Sequence, residues 1–152
     1  MTLPSTFPPA SPTPQHGLLL FAHGARDPRW AEPFEAVAQR LRERQPALTV
    51  ELAFLEFMTP TLVEAGVRLV AAGCQRVDVV PLFLGAGGHV RKDLPVLLDE
   101  LSASYPGVQW HMQRVIGERA SVIDAMADAA AECIDRAHAT ATAFATATAA
   151  PV

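Results

Sequence analysis

The chain has 152 residues, 50% of them hydrophobic and 18% charged, and its formal net charge at pH 7 is −4. This length and apolar content fit one domain with a sizeable core, and the acidic balance argues against a nucleic-acid-binding protein, which normally carries a basic stripe. No run of about 18 apolar residues occurs, so we expect no membrane span.

Both ends of the chain differ in composition from its middle. Residues 1–15 are rich in Pro, Ser and Thr and lack the basic start and apolar stretch of a signal peptide, which predicts a disordered segment. Residues 137–152 are nearly all Ala and Thr, and we interpret them as a frayed tail. The predicted domain therefore spans residues 16–136. Its two cysteines, Cys74 and Cys133, form no CxxC motif and fit a reducing cytoplasm.

The first strand–helix unit starts with the apolar run 17–22, which predicts a buried strand. Asp27 followed by Pro28 is a helix-start signal, because it combines a capping carboxylate with a proline at the first helical position. We therefore predict a helix over residues 28–45, ended by Pro46. Apolar residues recur along it at helical spacing, namely Trp30, Phe34, Val37 and Leu41.

The second unit repeats this pattern. An apolar run over residues 50–55 predicts another strand, and Thr59 with Pro60 repeats the helix-start signal. Gly73 is the predicted C-terminal stop of the helix that follows. The buried face of that helix is predicted to consist of Leu62, Val63, Gly66, Leu69 and Val70.

The third unit contains a glycine-rich connection. A strand is predicted over residues 77–84, and the loop 85–88 leads from it to His89. The next helix is predicted over residues 93–104, with Asp93 as its N-cap and a proline in its first turn.

A fourth strand over residues 108–115 and a last helix over residues 119–136 complete the pattern. Repeated strand–helix alternation implies a parallel sheet with right-handed crossovers. The predicted fold is a single doubly wound α/β domain, flavodoxin-like, with helices flanking a four-stranded parallel sheet. By analogy with other doubly wound folds, we predict the strand order 2-1-3-4.

Three residues that can bind metal follow the first three strands. His23, Glu56 and His89 are evenly spaced, 33 residues apart, and each comes just after an apolar run. Because the carboxyl ends of parallel strands lie at one edge of the sheet, these side chains are expected to meet there. Imidazole and carboxylate are ligands for divalent iron, cobalt, nickel or zinc.

Three segments of the chain resemble a known family. Residues 23–30, 53–56 and 81–95 look like those of the sirohydrochlorin chelatases of the CbiX type, and the third segment is the most specific. The resemblance covers about residues 17–117 and is similar to the small, single-domain form, which implies a chelatase-like fold and a homodimer.

The resemblance also implies an activity, which is the insertion of a divalent metal ion into sirohydrochlorin, a carboxylate-rich tetrapyrrole. Co²⁺ insertion in cobalamin biosynthesis is favoured, and Fe²⁺ insertion for sirohaem is the alternative. A metal or tetrapyrrole carrier without turnover is a second alternative. The metal, Co²⁺ or otherwise Fe²⁺ or Ni²⁺, is a substrate, and no organic cofactor is expected. Nucleic acid and membrane are not expected partners.

In related chelatases a His–Glu–His set handles the metal, and His23, Glu56 and His89 occupy matching positions. His23 and His89 would bind the metal or accept pyrrole protons, because imidazole binds such metals and titrates near pH ~6.5. Glu56 would offset positive charge and relay protons. In the alternative interpretation, Glu56 only caps the next helix or pairs with a cation.

The carboxylates of such a substrate require cations, and guanidinium can hold a carboxylate by two parallel hydrogen bonds. Basic residues lie beside the histidines in sequence, namely Arg26, Arg29, Arg91 and Lys92. Alternatively, Arg26 only bridges to Asp27 or Glu32, and the later pair forms a solvated helix start. Three glycines of the loop would let its backbone approach the macrocycle, namely Gly85, Gly87 and Gly88.

Two other enzyme classes are disfavoured. The glycine-rich loop lacks the third Gly or Ala of a dinucleotide-binding signature, because Val90 stands in that place. Phosphohistidine phosphatases commonly have Arg before their histidine, and here Ala22 precedes His23. Trp30 and Phe34 are predicted to be helix core rather than macrocycle-stacking residues. The remaining histidines are predicted to be structural or incidental, namely His16, His111 and His138.

Overall fold

Four strands alternate with four α-helices in the computed structural model, which describes residues 15–85 and 87–148, with side chains described as far as Arg136 except at positions 89 and 90. Short 3₁₀ helices occupy Pro28–Ala31 and Ile116–Glu118. The main elements are β1 (Gln15–Ala22), α1 (Glu32–Arg44), β2 (Thr49–Phe54), α2 (Leu62–Ala71), β3 (Cys74–Pro81), α3 (Gly88–Ser104), β4 (Gln109–Met112) and α4 (Ala120–Thr148).

The four strands form one parallel sheet in the order β2-β1-β3-β4. In register, Leu20 of β1 lies beside Leu52 of β2 and Val80 of β3. The predicted doubly wound α/β class and the predicted strand order are both confirmed. The carboxyl ends of β1, β2 and β3 therefore lie next to one another at one edge.

Alternate residues of β1 enter two separate apolar clusters, as the two-residue period of a strand requires. Leu19 and Phe21 pack with residues of α2 and α3. Leu20 and Ala22 pack on the opposite face, where α1 contributes Ala38. Because both faces of β1 are buried, this strand is an uninterrupted apolar run, which is typical of the central strand of a parallel sheet. Trp30 and Phe34 pack against the second cluster, as predicted.

Two helix starts differ from the prediction. The first helical turn, Pro28–Ala31, is 3₁₀ rather than α, and the Asp27 carboxylate caps it by accepting from the Arg29 N–H at 3.0 Å. The prediction of Asp93 as an N-cap is wrong, because α3 begins at Gly88 and continues through Pro95. Burial of the apolar face of α3 against the sheet outweighs the hydrogen bond that the proline removes.

Strand limits also differ, most at β3 and β4. β3 begins three residues earlier than predicted and ends at Pro81. β4 is only four residues long, because it pairs with β3 alone and the chain then turns into the second 3₁₀ helix. Just after β4, the Gln113 N–H still donates a hydrogen bond to the Val79 carbonyl of β3 at 2.8 Å.

Helix α4 continues to Thr148, past the predicted helix end at 136. Alanine has the highest helix propensity, and no Gly or Pro interrupts the sequence from 120 to 148. The predicted disordered segment, 1–15, lies outside the described residues except for Gln15, which begins β1. The predicted frayed tail, 137–152, is helical as far as Thr148, and its last four residues lie outside the described residues. The domain limits 16–136 stay a prediction. None of the described helices combines the length and apolar character of a membrane span.

Candidate functional site

The edge formed by the carboxyl ends of β1 and β2 is held together by backbone hydrogen bonds. The Leu55 N–H donates to the Ala22 carbonyl at 2.9 Å, and the Glu56 N–H donates to the His23 carbonyl at 3.0 Å. The two strand ends therefore continue side by side beyond the sheet. This continuation places His23 and Glu56 next to each other.

Gly24 makes this close approach of the two backbone segments possible. Its φ is +90°, a region that favours glycine, and an added Cβ would overlap the carbonyl oxygen of Glu56. Sequence reasoning did not single out Gly24. Its position immediately after His23 is the only sequence signal for this role, because the contact that requires a glycine comes from a distant part of the chain.

His23 and Glu56 are partly exposed and lie in direct side-chain contact. Nδ1 of His23 lies 3.3 Å from Oε1 of Glu56, and the two side chains are 52% and 46% exposed. The ring of Phe83 meets the imidazole edge to face at a centroid distance of 6.2 Å. A carboxylate at Nδ1 favours the tautomer in which Nε2 carries the lone pair, so Nε2 is the nitrogen suited to bind a metal or accept a proton.

The pair opens into a cavity of about 350 Å³ lined by His23, Leu55, Glu56 and Asp93. Asp93 belongs to α3, which brings a second carboxylate to the edge. The sequence prediction made this residue a helix cap, so its place in the cavity was missed. The i, i+4 relation between His89 and Asp93 could have identified it, since residues four apart share one face of a helix.

The backbone of His89 lies in the first turn of α3, after the β3 end of the same edge. Its imidazole is outside the described side chains, so the convergence of both histidines stays a prediction. Among the side chains that the structure describes, no group of three His, Cys, Asp or Glu residues is arranged to hold a metal ion. The described part of the edge supplies one imidazole and two carboxylates.

Arg26 and Arg29 have different surroundings. The guanidinium of Arg26 lies over the Phe57 ring, 4.8 Å from its centroid. Arg29, rather than Arg26, pairs with Asp27, at 2.9 Å between Nη2 and Oδ2. These side-chain hydrogen bonds from Arg29, with the one from its backbone N–H, lower the pKa of Asp27. The structure thus gives Arg29 a role in fixing the 3₁₀ turn, which the sequence analysis did not foresee.

Phe57 is a second residue that sequence reasoning missed. Its φ is +62°, which is uncommon for any residue other than glycine, and its ring is 57% exposed. An aromatic ring held outward at a strained backbone position, directly after Glu56, is a candidate contact for a flat ligand. A positive φ depends on the surrounding fold and leaves no trace in composition or periodicity.

The other predicted substrate contacts follow β3. Arg91 and Lys92 lie exposed near the start of α3. A Cβ added to any of the three loop glycines would meet no described atom within 4 Å. Packing within the described chain therefore does not require glycine at these positions, namely Gly85, Gly87 and Gly88.

The histidines predicted to be structural do not join this edge where they are described. His16 bonds to Asp78 at 2.5 Å on the face of the sheet, at the opposite end of the strands. His111 is exposed on β4 beside Asp78 in register. The side chain of His138 lies beyond the described side chains.

Comparison with known proteins gives consistent similarities. A family model described as CbiX matches residues 17–133. A sirohydrochlorin cobaltochelatase of Saccharolobus solfataricus is 40% identical over 95 residues, which cover 60% of this chain and 73% of that protein. A sirohydrochlorin cobaltochelatase of Methanocaldococcus jannaschii is 37% identical over 81 residues, 53% of this chain and 57% of the relative.

Solved structures show the same fold. A cobalamin (vitamin B12) biosynthesis CbiX protein from Marinobacter aquaeolei VT8 superposes with a TM-score of 0.70 and 35% identity, over 80% of this chain and 98% of that one. The sirohydrochlorin chelatase SirB of Bacillus subtilis subspecies spizizenii, in complex with cobalt, gives a TM-score of 0.66 and 25% identity, over 73% of this chain. The match covers 47% of the SirB chain.

Proposed function

Because the chain belongs to the CbiX family, we propose that it inserts a divalent metal ion, with Co²⁺ favoured, into sirohydrochlorin. The observation that carries the proposal is the partly exposed His23–Glu56 pair at the strand-end edge, with its 3.3 Å contact. Fe²⁺ insertion is the alternative activity. The proposed location is the cytoplasm, and no organic cofactor takes part.

Metal insertion exchanges one M²⁺ ion for the two N–H protons of the macrocycle. Nε2 of His23 faces away from Glu56 and can bind the incoming ion or take up a pyrrole proton. Glu56 then stabilises the positive charge on the ring, because its carboxylate lies against Nδ1. His89 supplies the second imidazole from the start of α3. Two imidazoles leave coordination positions open, so the ion is held loosely enough to be transferred.

The surroundings of this pair suit a flat, anionic macrocycle. Arg26, Arg91 and Lys92 would bind the substrate carboxylates, and Arg29 would add a contact while remaining paired to Asp27. Phe57 offers an aromatic ring beside Glu56. Open space around the loop glycines leaves room for the edge of the macrocycle.

The proposed active unit is a homodimer. His23 and Glu56 are each about half exposed, and the cavity beside them is lined by only four residues. One chain thus forms one wall around a disc-shaped ligand, and a second copy would form the other. Sedimentation velocity at micromolar concentration measures this state directly.

The test is a spectrophotometric insertion assay on the wild type and on His23→Ala and His89→Ala. We expect each substitution to reduce the rate at least about 100-fold, which is the scale of a lost proton-transfer or metal-binding group. Glu56→Gln should reduce it less, by about tenfold, because the amide keeps the shape of the side chain but not its charge. His111→Ala, an exposed histidine away from the edge, is the matched control and should keep the wild-type rate.

Wild-type rates in His23→Ala or His89→Ala would refute the assigned chemistry. Product that stops at one equivalent per chain would instead indicate a carrier. Parallel assays with Co²⁺, Fe²⁺ and Ni²⁺ identify the preferred metal, because affinity alone does not decide which ion a His/Glu site takes in the cell.

A further inference from the structure

A tight turn after β2 carries an exposed aromatic side chain. The Met58 N–H donates to the Glu56 carbonyl at 2.8 Å, which closes a three-residue γ-turn centred on Phe57. The φ of Phe57 is +62°, a conformation that costs free energy for a residue with a Cβ. Core packing does not offset this cost, because Phe57 is 57% exposed and belongs to neither apolar cluster of the described chain. The outward position of the ring therefore calls for a role outside the core.

The contact that the Phe57 ring makes is with a cation. The guanidinium of Arg26 lies over the ring, 4.8 Å from its centroid, which is within the range of a cation–π interaction. Arg26 is itself exposed. Among the side chains that the structure describes, no carboxylate pairs with Arg26, and the neighbouring Asp27 is held by Arg29 at 2.9 Å. Within the described chain, the aromatic ring is thus the group that restrains Arg26.

Backbone contacts fix the position of Arg26 and Phe57 relative to the pair that handles the metal. Arg26 follows His23 by three residues, and Phe57 follows Glu56 directly. The two segments are joined by the 3.0 Å bond from the Glu56 N–H to the His23 carbonyl. The Glu56 carbonyl that closes the γ-turn also occupies the space that a Cβ at Gly24 would need. Neither Arg26 nor Phe57 lines the cavity at His23, so they lie beside it.

A guanidinium held by an aromatic ring can still bind an anion. The ring attracts the positive charge of the group, and the N–H donors at the edge of the group stay available. Two of these donors can hold a carboxylate by parallel hydrogen bonds. A side chain that is restrained before the ligand arrives also loses less conformational entropy on binding. A tetrapyrrole carries its carboxylates on its periphery, so an arginine beside the cavity, rather than inside it, is suitably placed to meet one.

We propose that Phe57 is a positioning residue for substrate binding, because its ring holds Arg26 where the guanidinium binds one peripheral carboxylate of the macrocycle. Phe57 acts through Arg26 and does not touch the reacting atoms. This contact orients the edge of the macrocycle, while His23 and Glu56 act at its centre. The inference rests on the proposed function and adds how one side of the substrate is recognised. Binding of the metal-free macrocycle is its test, so the two can fail separately.

The experiment titrates the full-length protein with metal-free sirohydrochlorin and follows its absorbance, which gives a Kd without metal insertion. Arg26→Ala should raise the Kd about tenfold, because hydrogen bonds between charged groups are lost. Phe57→Leu keeps the apolar bulk but removes the aromatic face, and should raise the Kd about threefold, the scale of an exposed cation–π contact. Phe57→Tyr restores the aromatic face and should restore binding. Arg68→Ala is the matched control and should keep the wild-type Kd, since Arg68 is an exposed arginine of α2 whose partner is Glu51.

A double-mutant cycle distinguishes positioning of Arg26 from direct stacking of the ring on the macrocycle. In the Arg26→Ala background, Phe57→Leu should leave the Kd unchanged, because the group that the ring positions is gone. In the insertion assay, each single variant should raise KM for sirohydrochlorin more than it lowers kcat, since a contact at the periphery is made in the ground state and the transition state alike. Far-UV circular dichroism establishes that each variant is folded.

A wild-type Kd in Phe57→Leu would overturn the proposal. A loss of affinity from Phe57→Leu that persists without Arg26 would also overturn it, because the ring would then contact the macrocycle itself. A wild type that does not bind metal-free sirohydrochlorin would be a third contradiction. Binding that follows the expected cycle in a protein without turnover would support the Arg26–Phe57 contact while refuting the proposed metal insertion.

Discussion

At the scale of single residues, the geometry of the site depends on a glycine. Gly24 allows the segments that follow β1 and β2 to come into contact. The 3.3 Å contact between His23 and Glu56 follows from that approach. The sequence indicated that His23 and Glu56 follow the ends of two strands, because strand ends can be located from apolar runs. It did not indicate Gly24, Phe57 or Asp93, because their roles arise from contacts between residues distant in sequence.

Replacing Gly24 by alanine should destabilise the fold by more than about 2 kcal/mol, since the new methyl group overlaps Glu56 and alanine disfavours positive φ. Gly88→Ala is the matched control, because a Cβ there meets no described atom; its stability should change by less than about 0.5 kcal/mol. Urea denaturation of both variants measures the difference. Equal stabilities of the two variants would show that the segments following β1 and β2 can separate with little loss of folding free energy.

At the scale of elements, one buried carboxylate connects three parts of the sheet. Asp78 on β3 accepts from Gln113 at 2.7 Å and bonds to His16 of β1 at 2.5 Å. Arg76 adds a longer contact at 3.4 Å. Burial by itself raises the pKa of Asp78, but the hydrogen bonds from His16, Gln113 and Arg76 outweigh it, so the pKa is lowered.

A lowered carboxyl pKa stabilises the fold at neutral pH and loses that effect as pH falls through the folded-state pKa. Asp78→Asn should therefore reduce the free energy of unfolding by about 1–3 kcal/mol at pH 7, and the gap to the wild type should narrow as the pH falls below about 4, where the unfolded-state carboxyl takes up its proton. Asp99→Asn, on the exposed surface of α3, is the control and should follow the wild type. A gap that does not narrow as the pH falls below about 4 would mean that the shape of Asp78, rather than its charge, stabilises the fold.

The strands were predictable because apolar runs and glycine or proline signals agree along most of the chain. Their order was predicted only by analogy with other doubly wound folds. The start of α3 was not predicted correctly. Pro95 suggested the first turn of a helix, whereas the helix begins at Gly88 and its packing overrides the effect of the proline. The helical continuation of α4 was also missed. Its alanines favour a helix, but a sequence without an amphipathic stripe gives no sign of where that helix ends.

At the scale of the whole molecule, the faces of the sheet are covered unequally. One face carries α2 and α3. The other carries α1 and an apolar groove lined by residues that include Leu18, Leu20, Val37 and Leu41. The large exposed apolar residues of α4 extend as far as Ile134. Only Ala, Thr, His and Phe occur between Arg136 and the end of the helix at Thr148.

A chain that ends at Arg136 should retain its oligomeric state and its insertion rate within about twofold, because none of the removed residues is a predicted site residue. Sedimentation and the insertion assay measure both properties. A truncated chain that loses either property would extend the functional domain into the Ala/Thr-rich segment and contradict the predicted boundary.

Gly117 joins two regions that the chain otherwise separates. It lies against the backbone of Leu84 and bonds to the carbonyl of Phe83, and the segment that leads to His89 begins there. A displacement at the start of a long helix is passed to the residues in contact with that start. A shift of the second 3₁₀ helix, from which α4 begins, would therefore also move the residues at which the segment toward His89 starts.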